Sequence, residues 1–325
     1  MLVVADLRGV DSHGVARLPR YVTGLKERSI QPADESRVIK ETKATALIDA
    51  GQSLGQVAGY RAMEVAIRKA RDTAVGVVAV RNSNHYGIAG YYAMMALKHD
   101  LIGVSMTNSA PLVVPTFGRT AALGTNPISV AAPASREKPF VLDMATSVVP
   151  RGKIEVLDRA GTPMPLGWAV DKTGRGSNDP KAVLDAMAKR LGGGLLPLGG
   201  EGEDFSGHKG YGLALLVDVM SGVLSGAATG LQSYADERKP DVGHFFMALD
   251  PAAFRPIDEF KRDMDRLARE LKTSPKADGQ ARIYVHGEKS FERTERHRRE
   301  GIPLGPKVVE NLRKIGAELG VAWPA

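Results

Sequence analysis

The sequence predicts a mixed α/β fold, and three observations carry that expectation. Segments of helical periodicity alternate with short apolar, β-branched runs. The middle of the chain, Val75 to Ala145, is dense in such runs, which argues against an all-α arrangement. No internal repeat or low-complexity linker breaks the 325 residues, so no cut between independent domains is visible.

The elements follow in chain order. Gln52 to Arg71 carries apolar residues at Leu54, Val57, Ala58, Ala62, Val65 and Ala66, the spacing of an amphipathic helix. "VGVVAV", Val75 to Val80, is a β-branched run that reads as a buried strand. Ile88 to His99, rich in tyrosine and methionine, reads as a second helix, and "LIGVSMTN", Leu101 to Asn108, as a second buried strand. Ile128 to Ala132 and Phe140 to Met144 add two more strands. Pro180 to Arg190 and Tyr211 to Leu224 have helical spacing, His244 to Leu249 is strand-like, and Ile257 to Leu271 is helical again. "ARIYVHG", Ala281 to Gly287, reads as a late strand, and Pro306 to Leu319 as a closing amphipathic helix. Glycine clusters at 192–194 and 199–202 mark a long loop.

Composition narrows the function classes. An apolar fraction of 43% and a charged fraction of 25% are those of an ordinary globular protein with a sizeable core. There is no cysteine, so disulfide and thiolate chemistry are excluded, and a reducing cytoplasm fits well. No apolar run reaches the ~18 residues of a membrane span, and the sequence does not open on a basic region followed by an apolar stretch. The net charge is +7. Its densest basic stretch, "KSFERTERHRR" from Lys289, is interrupted by Glu292 and Glu295 at helical ion-pair spacing to Arg296 and Arg299. That is the pattern of a solvated helix face rather than of a nucleic-acid surface.

Four segments crowd polar groups at strand ends and glycine turns, where scaffolded loops carry chemistry. "VDSHGVARLPRY", Val10 to Tyr21, holds a histidine, an aspartate and two arginines. "NSNHYGIAGYY", Asn82 to Tyr92, sets His85 between a strand and a helix. A helix N-terminus favours the neutral imidazole that a general base needs, although a capping or packing histidine has the same spacing. "GTNPIS" and "VLDMATS" bring Thr125, Asn126 and Asp143, with Thr146 and Ser147 placed as candidate helix caps. "GHKGYG", Gly207 to Gly212, sets Lys209 and two glycines at the start of an apolar helix, suited to an anion. It is not a P-loop, and no strand–GxGxxG–helix unit occurs, so a Rossmann site is not predicted. The seven histidines show no ligand spacing and no HExxH, so no metal is expected; GxSxG is absent too.

Together "RGVDSHGVARLPRY", "NSNHYG", "TNSAP", "GTNPIS", "VLDMATS" with "GKI", "LLPLGG" and "HKGYGLAL" resemble, in this order, the malate/L-lactate dehydrogenase family of NAD(P)-dependent oxidoreductases, across essentially the whole chain. The resemblance implies a mixed-sheet, non-Rossmann nicotinamide-binding fold and a homodimer. It implies a central cofactor-binding part over 75–249, with 1–74 and 250–325 forming a helical part for substrate and dimer contacts. It implies NAD or NADP as cofactor and a small 2-hydroxy or 2-keto acid as substrate. A cyclic imine (piperideine- or pyrroline-2-carboxylate) is the alternative substrate, and a non-catalytic dinucleotide binder the alternative from another class.

By the same resemblance His85 is the general acid/base, Arg17 holds the substrate carboxylate, and His13 orients the substrate oxygen or the nicotinamide amide. Ser109, Asp143, Met144, Ala145, His208, Lys209 and Gly210 match cofactor-contacting positions, with Thr125, Asn126 and Lys153 as further ones. Family members usually carry a further helical segment before "ADLRGVDSHG", whereas Met1 stands four residues before Ala5. Lack of that segment is expected to expose apolar surface near the C-terminal helix and to weaken dimer contacts.

Overall fold

The computed structural model describes residues 1–236 and 238–323. Seven strands form one mixed sheet in the order β1-β2-β3-β9-β4-β5-β6. They are β1 (Arg37–Glu41), β2 (Thr45–Asp49), β3 (Val75–Ser83), β4 (Ile102–Thr107), β5 (Ile128–Ala132), β6 (Phe140–Met144) and β9 (Val242–Leu249). Every neighbouring pair is antiparallel except β2 and β3. That parallel pair needs a crossover, and helix α3 (Gly55–Thr73) supplies it.

A row of small residues lets helices lie close on this sheet. Gly76, Ala248, Gly103 and Ala131 pair across four strands. A Cβ at Gly76 would collide with the Ala66 carbonyl of α3. One at Gly103 would collide with the Ala93 carbonyl of α4 (Ala89–Met95). The core beneath α3 and α4 is built from Ala62, Met63, Val78, Val80, Tyr86, Tyr92 and Phe246, all at most 1% exposed.

A second lobe grows from the β4–β5 connection and from the chain after β6. It holds α5 (Arg151–Ala160), the pair β7 (Ala169–Val170) and β8 (Gly194–Leu195), α6 (Pro180–Ala188) and α7 (Gly207–Val217), which runs on into a π-helical turn, Asp218–Val223. Its own core packs Val113, Leu123, Ile154, Val183, Leu195 and Ala214. The N-terminal α1 (Leu2–Leu7) and α2 (Leu18–Lys26) and the C-terminal α8 (Ile257–Thr273), α9 (Glu288–Glu300) and α10 (Pro306–Glu318) flank the sheet.

Several expectations are corrected. Residues 1–74, expected to be helical, supply two strands of the central sheet. "ARIYVHG" is not a strand. It approaches the sheet edge through one bond, Val141 N–H to the His286 carbonyl, while Arg282 is drawn off to Glu288 and Glu292. On α9, Glu292 pairs with Arg282 and Glu295 with Lys138 rather than with the arginines one turn on, because those tertiary partners lie closer. Thr146 and Ser147 cap no helix: Thr146 donates to the carbonyls of Thr125 and Asn126, Ser147 to that of Val149, and α5 starts after Pro150.

Candidate active site

The opening polar stretch folds around one carboxylate. Asp6, buried on α1, accepts the Val15 N–H at 2.8 Å. Gly14 sits so close that any Cβ would collide with that carboxylate, so glycine is required there. The turn sets His13 inward. Ser12 Oγ lies 2.9 Å from His13 Nδ1, and Arg17 Nε donates to the Ser12 carbonyl at 2.6 Å. Most of the Arg17 guanidinium stays free for a ligand, in an exposed position.

His85 reaches the same place from the far end of β3. A bulge at Val80–Ser83, with Asn82 at φ 53°, turns the chain off the sheet. Asn84 pins the turn by donating to the carbonyls of Gln52 and Ser53, and Gly55 admits its backbone because a side chain there would collide with the Asn84 carbonyl. His85 then stacks on His13, with centroids 5.5 Å apart. Its Nδ1 lies 2.6 Å from the hydroxyl of buried Tyr21, leaving Nε2 as the working nitrogen.

Both histidines are held neutral. Burial lowers His13 to about 4, with Arg17 and Arg20 adding to it. Burial lowers His85 well below its ordinary value, and Arg20, His13 and Arg17 push the same way. The expected helix-end effect is not what holds His85 neutral: desolvation and neighbouring cations do. Burial also raises the Tyr21 hydroxyl to about 12, so it stays protonated.

The residues matched to cofactor contacts divide. Ser109, Thr125, Thr146, Leu198 and Gly210 form one continuous ridge. The Thr125 N–H donates to Ser109 Oγ at 3.0 Å, and Thr146 N–H to the Thr125 carbonyl. Leu198 N–H donates to the Thr146 carbonyl, and Gly210 packs on Leu198 where a Cβ would collide. His208 and Lys209 are exposed on the first turn of α7, beside this ridge. Met144 ends β6 and Ala145 follows it, both half-buried.

Three matched residues have other partners. Asn126 is fully buried, and its side chain is taken up by Ser109 N–H, the Ala214 carbonyl and Asp218. Lys153 is exposed on α5, its ammonium 5.5 Å from the Trp168 ring centroid. Asp143 accepts the Gly90 N–H at 2.8 Å, and a Cβ at Gly90 would crowd it. Asp143 is exposed as a residue, while its carboxyl lies against the start of α4. That local desolvation raises its pKa to about 6, against the Gly90 bond and the charge of Arg8.

A cavity of about 430 Å³ lies between the sheet and the second lobe. Its apolar wall includes Ile30, Ala110, Pro111, Ala121 and Leu231, and its polar rim includes Arg20, Asn84, Ser233, Tyr234 and Arg190. The volume and the mixed lining suit a small organic ligand beside a flat ring. The first turn of α7, with Lys209 exposed on it beside the ridge, offers a helix N-terminus and a cation to a phosphate, so the residues present fit a nicotinamide dinucleotide. Sequence reasoning missed Tyr21, Arg20 and Tyr234, whose roles arise only from contacts between distant segments. Among the described residues, no three His, Cys, Asp or Glu side chains are grouped to hold a metal ion, and no helix is long and apolar enough to cross a membrane.

Comparison with known proteins places this arrangement. The family profile described as malate/L-lactate dehydrogenase matches residues 1–313. A malate dehydrogenase of Pyrococcus horikoshii is 50% identical over 98% of this chain and 87% of its own length. The L-sulfolactate dehydrogenase of Methanocaldococcus jannaschii is 42% identical over 99% of this chain and 89% of its own. The crystal structure of a malate dehydrogenase from Entamoeba histolytica superposes with a TM-score of 0.96 at 36% identity, covering 100% of this chain and 91% of that one.

Proposed function

The chain belongs to the malate/L-lactate dehydrogenase family, and from that premise we propose that it is an NAD(P)-dependent dehydrogenase of small 2-hydroxy acids with His85 as its general acid/base. The observation that carries this reading is the His13–His85–Tyr21 cluster, whose chain neighbours Arg20 and Asn84 line the cavity, with cations around it and a neutral imidazole at its centre.

When bound, an oxidised nicotinamide supplies the two-electron acceptor for the hydride on C2 of the substrate. His85 Nε2 takes the hydroxyl proton as the C2–O bond becomes a carbonyl, and in the reverse direction returns it. Arg17 holds the substrate carboxylate, its fork matching two oxygens. His13, neutral and stacked on His85, donates or accepts at the substrate oxygen. The apolar wall of the cavity keeps water from the transferred hydride. Ser109, Thr125, Ala145 and Gly210 line the dinucleotide path, with Lys209 at the pyrophosphate. Asn126 positions that path from beneath through Ser109 and Asp218.

We also assign the chain to the cytoplasm as a homodimer. Leu215, Leu216, Val219, Val223 and Leu224 form an apolar stripe along α7 and its π-helical turn, each at least 43% exposed. A stripe of that size calls for a partner.

The test is consumption of reduced NAD or NADP against pyruvate, oxaloacetate, 2-oxoglutarate and piperideine-2-carboxylate. One 2-oxo acid is expected to turn over, and His85→Asn is expected to cut kcat by roughly 10²–10⁴-fold with cofactor binding retained. Full turnover in His85→Asn would place the proton transfer elsewhere.

A further inference from the structure

If His85 is to offer a lone pair on Nε2, its hydrogen sits on Nδ1, and the oxygen of buried Tyr21 accepts it across 2.6 Å. The Tyr21 hydrogen must then reach another acceptor, because a buried hydroxyl left unpaired is costly. Gln56 is the residue placed to supply one. It stands on the first turn of α3, and its neighbour Gly55 lies so close to the His85 loop that a Cβ there would collide with the Asn84 and His85 carbonyls. Its side chain reaches Tyr21: burial sets the raised pKa of that hydroxyl, and a hydrogen bond with Gln56 is among the contacts that oppose it. The Gln56 Oε1 is itself buried and has no hydrogen-bond partner among the described residues. A buried amide oxygen without a partner is rare in a native fold. A half-turn of the amide exchanges its two ends, so either Nε2 or Oε1 can face the Tyr21 hydroxyl.

We propose that Gln56 is a positioning residue that acts through Tyr21: its amide oxygen accepts the Tyr21 O–H, the Tyr21 oxygen accepts His85 Nδ1–H, and Nε2 is left bare for the substrate hydroxyl. For what Nε2 then does, this rests on the dehydrogenase reading above; the order of the hydrogen bonds does not. With an apolar residue at position 56, His85 Nδ1 is the acceptor left within reach of the Tyr21 hydrogen among the described residues. The relay then turns round. The Tyr21 O–H donates to Nδ1, the ring hydrogen moves to Nε2, and the base loses its lone pair.

The test reads the histidine tautomer directly. Nitrogen NMR of protein labelled in its histidine rings, with His85→Asn to assign the signals, shows which nitrogen carries the hydrogen. Wild type is expected to carry it on Nδ1 and Gln56→Met on Nε2. Gln56→Glu, which keeps an acceptor oxygen at the same reach, is expected to restore Nδ1. In hydroxy-acid oxidation, Gln56→Met is expected to lower kcat by about 5–30-fold with cofactor binding unchanged, and Gln56→Glu to recover most of it. In a Tyr21→Phe background Gln56→Met is expected to add no further loss, since the hydroxyl it serves is gone. The same tautomer in wild type and Gln56→Met, or losses that multiply in the double variant, overturns the assignment.

If no 2-oxo acid turns over, or His85→Asn keeps full turnover, the dehydrogenase reading fails, and the NMR decides this one separately because it needs no substrate. A ring hydrogen that moves from Nδ1 to Nε2 in Gln56→Met supports the relay; an unchanged ring overturns it. A wild-type ring with its hydrogen on Nε2 overturns it without any variant.

Discussion

Tyr21→Phe removes one oxygen from a residue only 5% exposed and changes little else. That oxygen is 2.6 Å from His85 Nδ1. To act as a base, His85 must present a lone pair on Nε2, which places its hydrogen on Nδ1 and makes the Tyr21 oxygen the acceptor. The bond strengthens as the ring gains its proton, because the imidazolium N–H is a charged donor. Phenylalanine leaves that N–H without its partner in a desolvated site. The cost of such a loss is about 1–3 kcal/mol, falling mostly on the protonated form and hence on the transition state. At about 1.4 kcal/mol per factor of ten, kcat falls by roughly 5- to 150-fold. The acid limb of kcat for hydroxy-acid oxidation moves to lower pH, since His85 becomes harder to protonate. The assay is kcat against pH for both proteins, with cofactor binding as control. A Tyr21→Phe enzyme with wild-type kcat and an unmoved acid limb would refute the reasoning.

Two further predictions use other parts of the molecule. His244 is fully buried between Thr107 Oγ1 at 2.7 Å and Ser83 Oγ at 2.8 Å, and burial lowers it from 6.5 to about 3. The unfolded chain therefore binds a proton near pH 6.5 that the folded chain refuses until about pH 3. Stability from this group is whole above 6.5 and falls as the pH drops, by up to about 1.4 kcal/mol per pH unit. Urea unfolding of His244→Gln between pH 6.5 and 4 should show a shallower slope than wild type; equal slopes would mean another group is responsible. Val219→Asp, on the exposed apolar stripe, should yield a monomer by light scattering. A wild-type monomer, or a variant that stays dimeric, would remove the stripe from the interface.

How much of this was legible in the sequence depended on where each element is buried. β5 and β6 match their expected bounds residue for residue, and β3, β4 and β9 nearly so, because each is built around a mostly apolar run. β1 was invisible since "RVIKE" is exposed along its whole length and has no burial pattern to leave in the sequence. "ARIYVHG" erred in the opposite sense: β-prone residues predict a strand only where a sheet edge offers a ladder, and here one bond forms. α5 escaped because half of its residues are charged, and α2 because Pro19 and Gly24 interrupt its short helical pattern.

The same distinction governs the site. His13, Arg17 and His85 could be named from motifs, but not what holds them neutral or in place. That depends on long-range contacts: Tyr21 on His85, Arg20 on Tyr234, Gly14 against Asp6. The polar density of Val10 to Tyr21 therefore has two sources that the sequence does not separate. His13, Arg17 and Arg20 face ligand space. Ser12 and Tyr21, with Asp6 and Gly14 beneath, keep that short helical turn from relaxing. Because the cations lie on the same turn as the groups that fix it, a substitution at Gly14 should disturb both histidines at once. A substitution at Arg20 should leave their stacking intact and change only the charge they feel.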